Sequence, residues 1–413
     1  MTIDISRKSF DHRRNTAWTT TMQGRVATDA PINEARQLRD RRVRALSVDL
    51  IGRCGYPSAL PTSFEITVAG GAMFIGPGRY YVDGHLAENF GVGAQFFDEV
   101  LSEVRFAAPI PFADQPYLPG DPPPEPEDGR YLVYLDTWQR DVTFLQDETI
   151  LDPAVQVDTF ARRQTVWQVK AFGPLPDGVD CETPDDGIAG WPAVIAPSGG
   201  RLPTRAAPAQ APLDPCLLPP GAEYRGIDNR TYIYCLHDFA QDGTPLMKFS
   251  RSHGVIATTI LSQPQADVLD VVEVAKDDFL RFNPGDWVEI TDEARMLAET
   301  PGVMARVLAV DDPGNSITLE DPLPAGTLRL DGPGPDTDQA FHPIIRRWDQ
   351  SGQIVDHDGN LIVDLDLPGA TGLIPAPADG TFIALEDGVE AALDTAPTGE
   401  ALRINDCWTF IAR

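Results

Sequence analysis

The sequence predicts a mainly β protein that begins with an extended arm and one long α-helix. From residue 62 onward, short alternating apolar segments are separated by turns rich in Gly, Pro, Asn and Asp, which is the pattern of antiparallel sheets and small barrels. Residues 29–50 instead carry apolar side chains at helical spacing. No fixed-period repeat indicates a propeller or a β-helix. We therefore expect several small antiparallel sheets or barrels in one elongated body.

The first segment, residues 1–53, predicts an N-terminal arm followed by a docking helix. Residues 1–28 are polar and Arg-rich without helical period, as in arms that become ordered against a neighbouring subunit. Asp29 is the expected N-cap, and the helix is expected to end near Gly52. Its apolar residues span roughly 140° of a helical wheel, and they are Ile32, Ala35, Leu38, Val43, Leu46 and Leu50.

Arg39 and Arg42 fall inside the same arc of the predicted helix. One interpretation is that their aliphatic stems cover apolar surface while the guanidinium groups reach water. The other is that they bind carboxylates of a neighbouring subunit. Both interpretations make the helix a docking element.

Residues 54–172 are predicted to form a β domain. Segments 64–68, 72–75 and 79–82 form a meander with turns at Gly70–Gly71, Pro77–Gly78 and Asp83–Gly84. The Pro-rich stretch 109–129 is an irregular connection. The strongest strands are predicted at 130–145 and 162–172, and the first has large apolar groups on both faces, which predicts a central strand.

The rest of the chain divides into three predicted segments. Residues 173–223 are rich in Pro and Gly and predict a connection. Residues 224–330 predict a β-barrel-like domain, with turns at 283–286 and 311–315. Residues 331–413 continue as a C-terminal β region.

The charge of the chain is strongly negative and unevenly distributed. The net charge of −29 argues against nucleic acid as a partner, because phosphate binding needs a basic face; solubility or a salt-rich habitat are alternative explanations. Residues 1–53 carry 11 Lys and Arg against 6 Asp and Glu, whereas the remainder carries 22 against 56. A basic N-terminal segment thus precedes an acidic body.

Membrane insertion and secretion are not predicted. No run of 18 apolar residues exists and the N-terminus lacks the apolar region of a signal peptide, so we expect assembly in the cytoplasm. Five widely spaced cysteines include no Cys-x-x-Cys pair, which disfavours zinc. Cys181 and Cys216 flank a Pro-rich segment and could pair, but free thiols are expected in a reducing compartment.

No pattern in the sequence predicts catalysis, a metal or a cofactor. The six histidines lack ligand spacing, and residues 356–360 fit an Asp-Gly turn better than a calcium loop. Nucleophile-elbow, phosphate-loop and dinucleotide motifs are not present. Trp138, Trp167 and Trp348 near charged residues could stack on a sugar, or could complete a β core or a subunit contact.

Segments distributed along nearly the whole chain resemble an uncharacterised bacterial domain family that is encoded in the gene clusters of phage-tail-like contractile injection systems. These segments are residues 10–15, 22–30, 131–140, 165–170, 229–234, 248–254, 285–292, 346–349, 386–390 and 405–413. The resemblance implies a particle component and supplies no catalytic residue.

We therefore expect a non-enzymatic structural subunit of an injection or phage-like tail particle, at its baseplate, spike or fibre. We expect cytoplasmic assembly, with release as part of that particle as one outcome. Its partners would be other particle subunits and copies of itself, in three-fold or six-fold order. The predicted contact residues are Arg13, Arg14, Arg25, Arg39 and Arg42. A module that binds cell-surface glycans is the first alternative, and a polysaccharide-degrading tail enzyme is the second.

Overall fold

The chain folds into a mainly β protein, as the sequence predicts. The computed structural model describes residues 3, 5–98, 103–105, 108–118, 126, 129–155, 157–180, 182–206, 224–227, 229–330, 341–377, 380–394 and 401–412. It divides into two compact units. Unit 1 contains Lys8–Val142 and Phe160–Trp191, and unit 2 contains Thr2–Arg7, Thr143–Thr159 and Pro192–Arg413.

Helix α1 (Asp29–Ile51) is the long helix predicted from the apolar spacing. Its N-cap is Thr28, which has an extended backbone and no capping side-chain bond, so the prediction of Asp29 as N-cap is wrong by one residue. As the first helical residue, Asp29 still places its negative charge at the positive end of the helix dipole. The helix ends as predicted at Gly52, whose φ of 95° allows its N–H to bond to the carbonyl of Val48 at 2.9 Å.

Unit 1 contains three small sheets and a long hairpin among its described residues. The strands are β1 (Cys54–Gly55), β2 (Ile66–Ala69), β3 (Ala72–Ile75), β4 (Gly78–Val82), β5 (His85–Asn89), β6 (Gln95–Asp98), β7 (Glu103–Arg105), β8 (Ile110–Pro111), β9 (Leu132–Val142) and β10 (Arg162–Phe172). The sheet orders are β2-β3-β8, β1-β4-β5, β6-β7 and β10-β9.

The predicted meander is wrong at Pro77, because β3 and β4 lie in different sheets. The N–H of Gly76 bonds back to the carbonyl of Glu65 at 2.8 Å, which keeps the chain in the first sheet up to this point. Pro77 has no N–H to continue the ladder, and Gly78 then begins β4. The predicted turns at Gly70–Gly71 and Asp83–Gly84 are confirmed, with positive φ at all four residues.

Strands β9 and β10 pair along eleven residues, from Arg162 opposite Val142 to Phe172 opposite Leu132. The prediction that β9 is central is wrong, since in the described part of the chain it pairs with β10 alone. Both of its faces are nevertheless covered. Val133 and Leu135 pack on the core of unit 1, and Tyr134 meets Trp191 edge-on with ring centroids 5.0 Å apart.

Unit 2 contains the remaining strands and two short helices. They are α2 (Trp191–Ile195), which begins at the end of unit 1, then β11 (Thr204–Ala206), β12 (Arg230–Phe239), β13 (Pro245–Ser250), β14 (Ala257–Gln265), β15 (Val268–Val271), β16 (Trp287–Thr291), α3 (Glu293–Leu297), β17 (Val303–Asp311), β18 (Ser316–Leu319), β19 (Ile344–Trp348), β20 (Gln353–Val355), β21 (Leu361–Asp364), β22 (Ile374–Pro375), β23 (Ile383–Ala384), β24 (Val389–Ala391) and β25 (Cys407–Ala412).

A closed six-stranded barrel, in the order β14-β15-β18-β17-β16-β19, forms one half of unit 2. Its interior is filled by fully buried aliphatic side chains such as Leu269, Ile290 and Ile317. The sixth strand, β19, comes from beyond the predicted segment 224–330. Strand β12, although inside that segment, joins a four-stranded sheet in the order β22-β13-β12-β25.

None of the helices in the described ranges is both long enough and apolar enough to cross a membrane.

Candidate subunit-contact surface

Helix α1 exposes most of the apolar arc predicted for docking. Leu38 is only 5% exposed and is therefore buried within the chain itself. In contrast, Val43, Leu46 and Leu50 are 54%, 59% and 77% exposed, and Ile32 is 39% exposed. We call these four exposed residues, Ile32, Val43, Leu46 and Leu50, the α1 stripe. Exposed apolar side chains grouped on one helix face are typical of a surface that binds a partner.

The turn between β4 and β5 holds α1 against unit 1. Gly84 has a φ of +78°, and a Cβ built on it would lie 2.6 Å from the carbonyl oxygen of Arg44, so only glycine permits this approach. The adjacent His85 has a lowered pKa, because burial and then the charge of Arg44 disfavour its protonated form. The helix is thus fixed through the face that carries Arg44, while the α1 stripe stays open.

The arm makes a few contacts with its own chain and leaves its large apolar groups exposed. The hydroxyl of Ser9 donates to Glu34 at 2.7 Å, and the hydroxyl of Thr19 lies 3.4 Å from the carbonyl of Pro31. The side chains of Trp18, Met22 and Val26 are 73%, 68% and 91% exposed. The sequence analysis missed these three residues. Large apolar groups that recur every four positions in a polar segment were the signal that could have identified them.

The five predicted contact arginines are all exposed. Arg13 binds Asp11 through two hydrogen bonds of 3.0 and 3.1 Å, which lower the pKa of Asp11 to about 2. Arg14 lies 3.8 Å from the same carboxylate, so both belong to the 3₁₀ turn His12–Arg14. Arg39 and Arg42 lie on α1 with the stripe, and Arg25 lies in the arm.

The three tryptophans considered for glycan binding do not form an exposed platform. Trp167 and Trp348 are 2% and 3% exposed and belong to hydrophobic cores. Trp138 is half-buried, and the ammonium of Lys170 lies 5.3 Å from its ring centroid. In these contacts the tryptophans complete a β core beside a cation, which is the alternative to glycan binding that the sequence left open.

A buried charge network connects the four-stranded sheet to the barrel inside unit 2. Lys248 of β13 donates to Glu289 of β16 at 2.7 Å and lies 3.1 Å from Nδ1 of His237 on β12. Trp348 of β19 donates its indole N–H to the same carboxylate at 2.9 Å, and its ring centroid lies 4.5 Å from the Lys248 ammonium. All four residues are buried, so they form a polar junction between the two β structures.

The charge states in this network follow from burial and from the Lys248 ammonium. Burial alone would raise the pKa of Glu289, but Lys248 and His237 outweigh it and lower the pKa to about 2. Burial lowers the pKa of His237, and Lys248 lowers it further to about 4. Because Lys248 donates to Nδ1, the neutral His237 carries its proton on Nε2.

A second network joins the ends of β13 and β19 to the turn before β24. Asp349 accepts hydrogen bonds of 2.8 Å from the hydroxyl of Ser250 and the N–H of Arg251. Arg251 also lies 2.8 Å from Glu386, which accepts a bond of 2.9 Å from the hydroxyl of Tyr232. Burial raises the pKa of Glu386, and Arg251 opposes that shift. The two carboxylates therefore converge on an arginine, as in a structural charge network.

These two networks use residues from the sequence segments that carry the family resemblance. Segments 229–234, 248–254, 285–292, 346–349 and 386–390 supply Tyr232, Lys248, Glu289, Trp348 and Glu386, respectively. Residues separated by more than one hundred positions in the sequence meet here, so the sequence analysis could not place them together. Their arrangement explains these segments through folding.

The remaining candidates for chemistry have local structural roles. Asp356 accepts the N–H groups of Asp358 and Asn360 at 2.9 and 2.8 Å, which confirms the predicted turn between β20 and β21. His342 lies 2.7 Å from Glu293, and His357 lies 3.3 Å from Glu390. Within the described ranges, no group of three His, Cys, Asp or Glu residues could hold a metal ion.

The prediction that the cysteines are free is wrong for one pair. Cys235 of β12 and Cys407 of β25 are directly opposite each other in the antiparallel ladder and form a disulfide. The sequence analysis missed this pair because 172 positions separate the two residues. Cys54 is free and exposed, whereas Cys181 and Cys216 lie outside the described residues.

The fold and the surface define a mainly β protein whose N-terminal helix exposes apolar side chains along one face. The family of unknown function DUF6519 matches residues 1–174 and 198–413, and the chain belongs to this family. Comparisons with curated proteins and with solved structures give no match.

Proposed function

We propose that the protein is a structural, non-enzymatic subunit of a contractile injection system or phage-like tail particle, joined to neighbouring subunits through its arm and α1. Its partners would be other particle subunits and copies of itself. The observation that carries this proposal is the exposure of large apolar side chains along one continuous N-terminal segment, from Trp18 to Leu50. The link to such particles depends on the sequence resemblance.

In this assembly, charge mainly affects the rate of association and apolar burial mainly stabilises the contact. The basic segment 1–53 is attracted to the acidic surface that the remainder of the sequence supplies, and such complementarity mainly raises the rate of encounter. Burial of the exposed apolar groups then holds the contact, at about 25 cal/mol per Å² of apolar surface removed from water.

The disulfide between Cys235 and Cys407 suits a particle that leaves the cytoplasm. Disulfides persist in oxidising surroundings and are rare where thiols are kept reduced. Assembly in the cytoplasm followed by release would therefore allow this bond to form late and to fix the C-terminal strand β25 to β12.

Deletion of residues 1–28 tests the proposal. The truncated protein is expected to fold, because the arm contributes few hydrogen bonds to the rest of the chain and each contributes about 0.5–1.5 kcal/mol. It is expected not to enter sedimenting particles in the host. Circular dichroism checks folding, and sedimentation followed by immunoblotting measures incorporation.

A second variant keeps the arm at full length. Trp18→Ser, Met22→Ser and Val26→Ser combined remove only the exposed apolar groups and should also abolish incorporation. Leu367→Ser, which alters an equally apolar residue that is 59% exposed elsewhere, is the control and should be incorporated normally. Normal incorporation of both arm variants would show that the arm is not the docking element.

A further inference from the structure

An acidic loop with an aromatic tip projects from the barrel between β15 and β16. Phe279 is 85% exposed and directly follows Asp277 and Asp278, which are also exposed. We call these three residues, Asp277, Asp278 and Phe279, the barrel knob. An exposed phenylalanine is costly in water, and large exposed apolar groups with polar neighbours are typical of contact sites.

The barrel knob has a defined backbone conformation. The carboxylate of Asp277 accepts the N–H groups of Phe279 and Leu280 at 2.8 and 2.7 Å. The N–H of Lys276 bonds to the carbonyl of Leu280 at 3.0 Å, and Ala275 forms a β-bridge with Arg281. A tip that is already ordered loses little conformational entropy on binding.

The α1 stripe and the barrel knob have complementary chemistry. The exposed guanidinium groups of Arg39 and Arg42 lie beside Val43 and Leu46 on α1. The knob offers two carboxylates beside one aromatic ring. Phe279 can cover the aliphatic groups while the carboxylates face the arginines, and arginine–carboxylate pairing adds geometric specificity to such a contact.

Two copies of α1 do not complement each other in the same way. Arg36, Arg39 and Arg42 all lie within or beside the stripe and are exposed. The exposed Asp40 and Asp49 lie at the edges of the same face, so the three arginines leave it with a net positive charge. This charge favours an acidic partner surface over a second copy of the helix.

We infer that the α1 stripe of one copy binds the barrel knob of a second copy. This inference rests on the proposed function, because it identifies the partner of the same docking helix. The contact joins two different faces, so each copy has one helix and one knob to offer. Contacts of this kind build closed rings, or filaments when the rotation does not close.

Complementation between two variants tests the inference. Leu46→Asp disables the stripe and leaves the knob, whereas Phe279→Asp disables the knob and leaves the stripe. Both altered residues are well exposed, so folding should be retained. In sedimentation and light-scattering measurements, the purified wild-type protein is expected to assemble, and each variant alone is expected to be monomeric.

The mixture of the two variants gives the decisive result. One intact stripe and one intact knob remain, so the mixture should form a dimer with one copy of each variant and nothing larger. Leu46→Ala should weaken the wild-type assembly about tenfold, which corresponds to about 1.4 kcal/mol. Leu367→Asp is the matched control, since Leu367 and Leu46 are both 59% exposed, and it should assemble like the wild type.

Three outcomes would overturn the inference. They are normal assembly of Phe279→Asp, no complex in the mixture, and a monomeric wild type at every concentration. None of them decides the proposed function, because incorporation of the arm variants into particles measures docking onto any subunit. A monomeric wild type with an essential arm would indicate that α1 binds a different particle protein.

Discussion

At the scale of single residues, one buried cation determines the charge states around it. Lys248 has neighbours from three other strands, and its ammonium charge is balanced by Glu289. Burial lowers the pKa of Lys248, while Glu289 opposes that shift. Removing one partner from such a pair leaves an uncompensated buried charge, which costs far more than the pair contributes. The network therefore defines how the sheet meets the barrel in unit 2.

His237 gives this network a measurable pH dependence. Its pKa is about 4 in the folded protein and about 6.5 in the unfolded chain. Between these values the unfolded chain binds more protons, so the free energy of unfolding is highest above pH 6.5 and decreases as the pH falls toward 4. The decrease due to this residue is at most about 1.4 kcal/mol per pH unit.

His237→Gln is expected to remove that part of the pH dependence. Urea unfolding of the wild type and of His237→Gln between pH 7.5 and 4 measures this pH dependence. The difference between their unfolding free energies should shrink as the pH falls. The comparison above pH 7 is the internal control, because histidine is neutral there in both states. Parallel pH profiles of the two proteins would contradict the buried, neutral state of His237.

At the scale of elements, local patterns predicted where strands and helices lie but not how the strands pair. Strand β3 has the predicted bounds, and α1 begins and ends within two residues of its prediction. Turn residues and apolar spacing are local signals, so they act within a few positions of the chain. The pairing of β12 with β25 and the closure of the barrel by β19 depend on contacts between distant segments.

The candidate contact surface likewise has features that the sequence predicted and features that it did not predict. The sequence correctly grouped Arg39 and Arg42 with an apolar helix face. It could not distinguish Leu38, which is buried, from Leu46, which is exposed, because the two residues have the same side chain. Their difference arises from tertiary packing, which buries one residue and leaves the other exposed. The barrel knob was missed because an isolated Phe in a loop has no periodic signal.

Strand β25 depends on its disulfide, and a prediction follows for that element. Cys407→Ser opens a covalent loop of about 170 residues, and loss of a native disulfide typically costs about 2–5 kcal/mol. We expect the variant to unfold at lower urea concentration than the oxidised wild type. Reduction with dithiothreitol should lower the stability of the wild type to that of the variant.

Cys54→Ser is the matched control for this experiment, because Cys54 is free and exposed. It should unfold like the wild type under oxidising conditions. Mass spectrometry after alkylation should detect the Cys235–Cys407 disulfide in the control and not in Cys407→Ser. Equal stability of the oxidised wild type and Cys407→Ser would show that β25 is held by its hydrogen bonds and packing alone.

At the scale of the whole molecule, the charge distribution predicts how assembly responds to salt. In the contact that we infer, the basic segment 1–53 of one copy faces the acidic remainder of another copy. Raising the NaCl concentration from about 0.05 to about 0.5 M shortens the screening length from about 14 to about 4 Å. Encounter of complementary charges depends on this length, whereas the apolar groups of the α1 stripe are buried only after docking.

We therefore expect the association rate of the wild-type protein to fall about tenfold over this salt range, with a smaller change in the dissociation rate. Stopped-flow light scattering measures the association rate, and dilution of the assembled protein measures the dissociation rate. Arg39→Gln combined with Arg42→Gln should associate slowly at low salt and respond less to added salt. If salt instead accelerates dissociation and leaves association unchanged, the charges act only within the docked contact and do not steer the approach of the two copies.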